Sequence, residues 1–350
     1  MEIVNVYVGN KCISIKTNKT EIIRELKEEY SDYFNFVIES KPNGAESITI
    51  IESELLYEKY KNKKELKDKK KENFFKKDRN CIIVMNKLER NIDILCAKYG
   101  IIEGQYVGEI LISMFGKYYE ENGFYFFHAS GVSKNNNSVL MVGAKNSGKT
   151  SIMAALLNDG FDYMANSRIG INNNLYSIGQ PYMLGMRMNT IYNFMSAECK
   201  NKIFNTEDFK RVNENLELER FEGKTDNILN RYGDRKINLK NKEIKEIFNC
   251  NLEKKSKIKA IIIPEYCENL RKMEVKKLEA NEKMTVLIDN YESGIYSNVK
   301  YLNELYANKN RRIPNNVIEK IDFYRIRQNE NTNKEIISFI NDIIVGEKMK

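Results

Sequence analysis

Residues 138–160 read SVLMVGAKNSGKTSIMAALLNDG, and the fold turns on this stretch. The opening SVLMV is a short apolar run that follows a polar turn, the pattern of a buried strand. The closing SIMAALLNDG is built from helix formers and stopped by Gly160. Between them, Gly143-Ala144-Lys145-Asn146-Ser147-Gly148-Lys149-Thr150 fits G-x-x-x-x-G-K-[ST] at every position. In the order strand, glycine loop, helix, backbone N–H groups can curl around phosphate oxygens, and the helix N-terminus adds its positive end. In such a loop Lys149 reaches the β- and γ-phosphates and Thr150 offers its hydroxyl to Mg²⁺. The candidate nucleotide-binding residues are therefore Gly143, Ala144, Lys145, Asn146, Ser147, Gly148, Lys149, Thr150 and Ser151, with Thr150 the candidate metal ligand. Of these, Lys145 reads as a solvated loop residue.

Working outward, FYFFHASGVS (124–133) predicts a strand and Asn135-Asn136-Asn137 a turn. Upstream, GQYVGEILISMFGKYYEE predicts a helix over 104–121, closed by Asn122-Gly123. Downstream, KIKAIIIPEY predicts a second apolar strand ended by Pro264, and IDFYRIRQN with NKEIISFINDIIV a last strand and an amphipathic helix. Residues 198–236 are polar and read as surface loop or helix. Residues 1–17 read as a hairpin around Gly9-Asn10, followed by an amphipathic helix from Thr20 and four short strands. The expected organisation is a small α+β unit over 1–100 and an α/β nucleotide-binding domain over 101–350.

Composition narrows the function. The net charge of +8 is concentrated: residues 58–80 carry eleven Lys/Arg against five Asp/Glu, leaving +2 for the other 327 residues. That run is Lys-rich and mixed in sign, and it reads as a solvated helix or loop rather than a nucleic-acid groove. No apolar run approaches the ~20 residues of a membrane span, and the start MEIVNVYVGN alternates like a strand rather than a secretion leader. Six scattered cysteines without a C-x-x-C pair, and a single histidine, His128, argue against zinc and for a reducing, cytoplasmic setting. Met183, Met186, Met188 and Met195 read as core filling rather than a redox site.

Three further segments share a pattern with a known family: FFHASGV (126–132), the loop with its flanks, and NDGFDYMANSRIGI (158–171). Together they resemble the catalytic domain of HPr kinase/phosphorylase and its relatives, among them kinases that modify peptides in biosynthetic clusters. IGQPYMLGMR (178–187) and KIKAIIIP (257–264) are similar to later segments of that peptide-kinase branch. The resemblance covers roughly 105–345, and its specific part is 124–190. It implies a P-loop fold related to phosphoenolpyruvate carboxykinase, ATP (or GTP) with Mg²⁺, and phosphorylation of Ser/Thr on a peptide or small protein. It also allows a homo-oligomer. His128, Gly143, Gly148, Lys149, Thr150 and Arg168 stand at matching positions.

The chain departs from the family where an aspartate pair is usual: it has Asn166-Ser167. Neither side chain takes up a proton at neutral pH. A glutamate of the next segment is also missing, with Gln180 and Pro181 near its place. The implied catalytic set is thus His128, Lys149, Asn166, Ser167 and Arg168, and two readings stay open. Either a weak base suffices or the base comes from elsewhere, with His128, Asp162 and Glu265 as candidates, or the chain is a regulatory or scaffold protein that binds nucleotide without efficient chemistry. Another nucleotide-consuming transferase is the third reading.

Overall fold

The computed structural model describes residues 1–62, 66–68, 73–78, 80–219, 235–306 and 315–346. The chain divides into two compact units, Met1–Tyr119 with Gly294–Asn310, and Glu120–Ser293 with Arg311–Lys350. It is a mixed α/β protein. Among the described residues no helix is long and apolar enough to cross a membrane.

The first unit holds a mixed sheet in the order β3-β1-β2-β4-β8-β7-β6-β5. Its strands are β1 (Glu2–Val8), β2 (Lys11–Thr17), β3 (Asn35–Ile38), β4 (Glu46–Glu52), β5 (Leu66–Asp68), β6 (Asn73–Asp78), β7 (Cys81–Asn86) and β8 (Asn91–Cys96). Helix α1 (Thr20–Tyr30) buries Ile22, Ile23, Leu26 and Tyr30, the apolar stripe its spacing predicts. α2 (Glu54–Lys61) is capped by Ser53, whose Oγ accepts from Leu56 N–H.

Two expectations are corrected in this unit. Part of the Lys-rich run is sheet: β6 pairs antiparallel with β7 from Asn73 to Asp78, because the outer edge of β7 needs backbone partners. Residues 63–65, 69–72 and 79 of that run lie outside the described residues. The boundary near residue 100 is also displaced. Helix α3 (Ile101–Glu121) lies almost wholly in the first unit, to which 294–310 return. Tyr106 and Tyr301 share a hydroxyl hydrogen bond of 2.8 Å, and Ser113 Oγ accepts from Tyr296 N–H at 3.0 Å. A helix apolar on most faces needs cover on most faces, and a distant segment supplies part of it.

The second unit is built on the hairpin β9 (Phe124–Lys134) and β10 (Asn137–Val142). Its turn places Asn135 and Asn136 at φ 53° and 59°, the left-handed pair of a tight hairpin. Helix α4 (Lys149–Asn158) leads from the glycine loop to β11 (Asp162–Asn172) and β12 (Tyr176–Gly179). A two-stranded ribbon, β13 (Leu184–Arg187) and β14 (Lys236–Leu239), flanks a segment with α5 (Met188–Phe194), α6 (Ala197–Phe204) and α7 (Glu207–Glu219). Residues 220–234 lie outside the described residues. Then come α8 (Asn241–Phe248), β15 (Lys255–Tyr266), β16 (Glu274–Lys277), α9 (Ala280–Asp289), β17 (Tyr291–Glu292), α10 (Asn315–Glu319), β18 (Asp322–Gln328) and α11 (Asn333–Val345).

Strand pairing closes on itself: β10-β9-β11-β12-β15 and back to β10, the last pair parallel. The outer half of β15 pairs parallel with β18, and β16 completes that edge. β15 does not stop at Pro264 as expected; it continues to Tyr266, with Pro264 opposite Ile326. Its pairing with β10 has ended by Ile262, and a strand free on one side accommodates a residue without an N–H. The parallel strands β10, β15 and β18 end at the same edge, so the loop after β10 opens at the carboxyl ends of parallel strands, where ligands of α/β sheets bind.

Beneath lies a core of Phe127, Ala129, Leu140, Val142, Ile169, Ile261 and Phe323, among others. Leu140 is fully buried between Gly131 of β9 and Ile261 of β15. Leu140→Ala is therefore expected to cost about 2–5 kcal/mol, and a thermal melt should fall by roughly 4–20 °C. An unchanged melt would contradict this packing.

Candidate functional site

The 143–150 loop is shaped by left-handed backbone. Gly143, Asn146 and Gly148 have φ of 142°, 72° and 104°, and Gly148 is the N-cap of α4. A Cβ on Gly148 would lie 2.4 Å from Nε2 of Gln328, so glycine is required on two counts. The Gln328 side chain is fully buried beside the loop, and neither of its amide atoms has a hydrogen-bond partner among the described residues. Lys149 Nζ donates to the carbonyl oxygens of Gly143 (2.6 Å) and Ala144 (2.9 Å), spanning the loop from inside. Burial first, and then the charge of Lys236, push its pKa down to about 8, with Glu292 acting the other way.

Facing the loop are two antiparallel strands in a register that sorts their side chains. Asn166 of β11 lies opposite Ser130 of β9, and Arg168 opposite His128. Alternation puts these four on one face. Asn166 Oδ1 accepts from Ser130 Oγ (2.9 Å) and from Thr150 Oγ1 (3.3 Å), which joins the strands to the loop. Ser167, opposite Ala129, alternates to the other face, so the Asn166-Ser167 pair does not act as a pair.

The carboxylate at this face comes from a residue that no motif marks. β17 pairs with β9, Glu292 opposite Phe126. Arg168 Nε (2.8 Å) and Nη2 (2.7 Å) both donate to Glu292 Oε2. Glu292 Oε1 lies 3.6 Å from His128 Nδ1. His128 is half-buried, and its pKa is lowered by burial first and by the Lys149 charge second, while Glu292 raises it. Two residues earlier, Asn290 ties this strand to the loop: its carbonyl accepts from His128 N–H (2.8 Å), and its Oδ1 accepts from Gly143 N–H (3.2 Å).

The β13–β14 ribbon adds positive charge. Arg187 lies opposite Lys236, and its Nη1 donates to Asn146 Oδ1 at the tip of the loop. Ser151 Oγ meets Thr190 Oγ1 of α5 at 3.3 Å, while Ala144 and Lys145 are exposed. Ser147 Oγ is buried with no hydrogen-bond partner among the described residues.

The other acidic candidates are engaged elsewhere. Asp162 Oδ1 accepts from Asn251 N–H (2.8 Å) and Nδ2 (3.2 Å), and Glu265 pairs with Arg325 at 3.1 Å. Gln180 is buried, its N–H donating to the Arg168 carbonyl. Met186, Met188 and Met195 are buried apolar residues, as expected of core filling, whereas Met183 is only half-buried. Sequence reasoning therefore missed Glu292, Asn290, Arg187 and Lys236. Pairing of β17 with β9 could not be read from two residues, although IGQPYMLGMR had drawn attention to the segment ending in Arg187.

No protein-family model matches the chain, and no curated protein is significantly similar to it. The geometry itself therefore carries the functional reading.

Gly148→Ala would force a left-handed residue with a Cβ against Gln328. A destabilisation of about 1–3 kcal/mol is expected from the backbone alone. Chemical denaturation of the variant tests this, and a wild-type midpoint would show that the loop does not hold this conformation.

Proposed function

We propose that the 143–150 loop binds the phosphates of ATP (or GTP) with Mg²⁺, and that the chain is a kinase of the HPr kinase/phosphorylase type. Its acceptor would be a Ser/Thr hydroxyl of a peptide or small protein. One observation carries the reading: a loop with three left-handed residues ends at a helix N-terminus with Lys149 inside it, while Arg187 reaches its tip and Lys236 acts on Lys149. A concentration of cations around a glycine loop that ends at a helix N-terminus suits a polyphosphate. Lys149 would exchange its two carbonyl partners for phosphate oxygens. Arg187 and Lys236 would neutralise charge at the outer phosphates.

A hard cation suits the oxygen donors present. Mg²⁺ habitually takes one or two protein oxygens and fills its shell with phosphates and water. Thr150 Oγ1 and Asn166 Oδ1, 3.3 Å apart, would be those two. When bound, the ion would neutralise phosphate charge as it develops during transfer. The chain's own residues would position: Asn290 holds the start of the loop against β9, and Ser130 orients Asn166.

A second reading has its own support. Asn166 is neutral and already accepts two hydroxyl hydrogen bonds, so the usual carboxylate at that place is missing. A regulatory or scaffold protein that binds nucleotide without turning it over would show this.

Titration calorimetry with ATP and Mg²⁺, followed by incubation with labelled ATP and peptides encoded near the gene, separates the two. Binding with ADP release and labelled Ser/Thr supports the kinase; binding alone supports the second reading. Lys149→Ala removes a charge-assisted bond worth roughly 1.5–3 kcal/mol, so affinity should drop by roughly 10- to 150-fold while the fold persists. Unchanged affinity in the variant would contradict both readings.

A further inference from the structure

We propose that His128 and Glu292 form the general-base pair of this site: His128 Nε2 takes the proton of the acceptor hydroxyl, and Glu292 steadies the resulting imidazolium from the Nδ1 side. This rests on the kinase reading above and answers what replaces the missing aspartates.

The geometry selects this pair. Asp162 is engaged with Asn251 and Glu265 with Arg325, whereas Glu292, though gripped by Arg168, lies on the same sheet face as His128 and Asn166. Arg168 grips one oxygen of Glu292 with two nitrogens, which leaves the other oxygen turned toward His128 at 3.6 Å. The backbone of His128 is fixed by Asn290, whose side chain holds the first glycine of the loop. A base must stand beside the phosphates, and His128 shares its sheet face with Ser130, whose hydroxyl donates to the Asn166 Oδ1 that also accepts from Thr150 in the first turn of α4. A carboxylate facing one ring nitrogen favours a proton on that side and leaves the other nitrogen to accept one.

In the step itself, the acceptor oxygen bonds to the γ-phosphorus as the bond from that phosphorus to the β–γ bridging oxygen breaks. The electron pair leaves with the nucleoside diphosphate. The hydroxyl proton passes to His128 Nε2 and is released to water after product departure. The charged groups acting on His128 are Lys149 of α4, Arg168 of β11, Lys236 of β14 and Glu292 of β17. Three cations against one carboxylate favour the neutral imidazole, the form that accepts a proton. Arg168 is a positioning residue, acting through Glu292.

The test uses the full chain, ATP with Mg²⁺, and water as acceptor, with ADP release as the readout and nucleotide affinity measured separately. His128→Gln leaves the Arg168–Glu292 pair intact and should lower kcat by roughly 10²- to 10⁴-fold, with KM and ATP affinity within threefold of wild type. Glu292→Gln should lower kcat at least tenfold, and Glu292→Asp should recover part of it. Removing the carboxylate also removes what raises the His128 pKa, so the acid limb of the pH–rate profile should move to lower pH in Glu292→Gln. If Glu292→Gln fails to fold because it strands Arg168, His128→Gln and Glu292→Asp decide the matter. The proposal is overturned if His128→Gln keeps wild-type kcat, if the acid limb does not move, or if the wild type binds ATP and releases no ADP. A wild type that does not bind ATP would instead overturn the kinase reading itself.

Discussion

The register between β9 and β11 is the constraint on which the site depends. Asn166 faces Ser130 and Arg168 faces His128, and a slip of β11 by one residue would turn Asn166 and Arg168 to the other face, away from Ser130 and His128. The register is held from outside the site as well as within it. β11 buries Ala165, Ile169 and Ile171 on its other face, β12 pairs with Ile169–Ile171, and a bulge between Tyr163 and Ala165 takes up the irregularity before Asn166 is reached. Core packing on one face thus fixes polar positions on the other. The hydrogen bond from Thr150 to Asn166 then joins this face to the helix that begins in the loop.

Charge explains why the site takes the form it does. Lys149 is buried, and a buried ammonium needs oxygen partners; it finds two carbonyls within the loop. Arg168, also buried, is answered by Glu292 with two hydrogen bonds to one oxygen. Around them Arg187 and Lys236 leave positive charge in excess, which suits a polyanion. The net charge of the whole chain was a poor guide to this, since most of it sits in the first unit's Lys-rich run.

Much of the second unit was legible because local chemistry decides it. The glycine loop, the Asn135-Asn136 turn, the strand before the loop and the helix after it are each specified by residues adjacent in sequence. The first unit's opening hairpin and α1 were legible for the same reason. What escaped depends on distant partners. β6 becomes a strand because β7 offers an edge, β15 passes through Pro264 because β10 has left it, and 294–306 join the first unit by covering α3. Glu292 belongs to the same class: a two-residue strand acquires meaning only when it pairs with β9. Asp162, four residues before Asn166 on the same strand, stands about 13 Å from it along the strand and is engaged with Asn251.

The central claim is that nucleotide phosphates enter the 143–150 loop and order the residues gathered around it. Hydrogen exchange, with and without a non-hydrolysable ATP analogue and Mg²⁺, reads this directly. The account predicts slowed exchange in peptides covering 143–151, 128–130 and 290–292, with residues 1–60 unchanged. Exchange unaltered in the loop, or protection confined to the first unit, would contradict it.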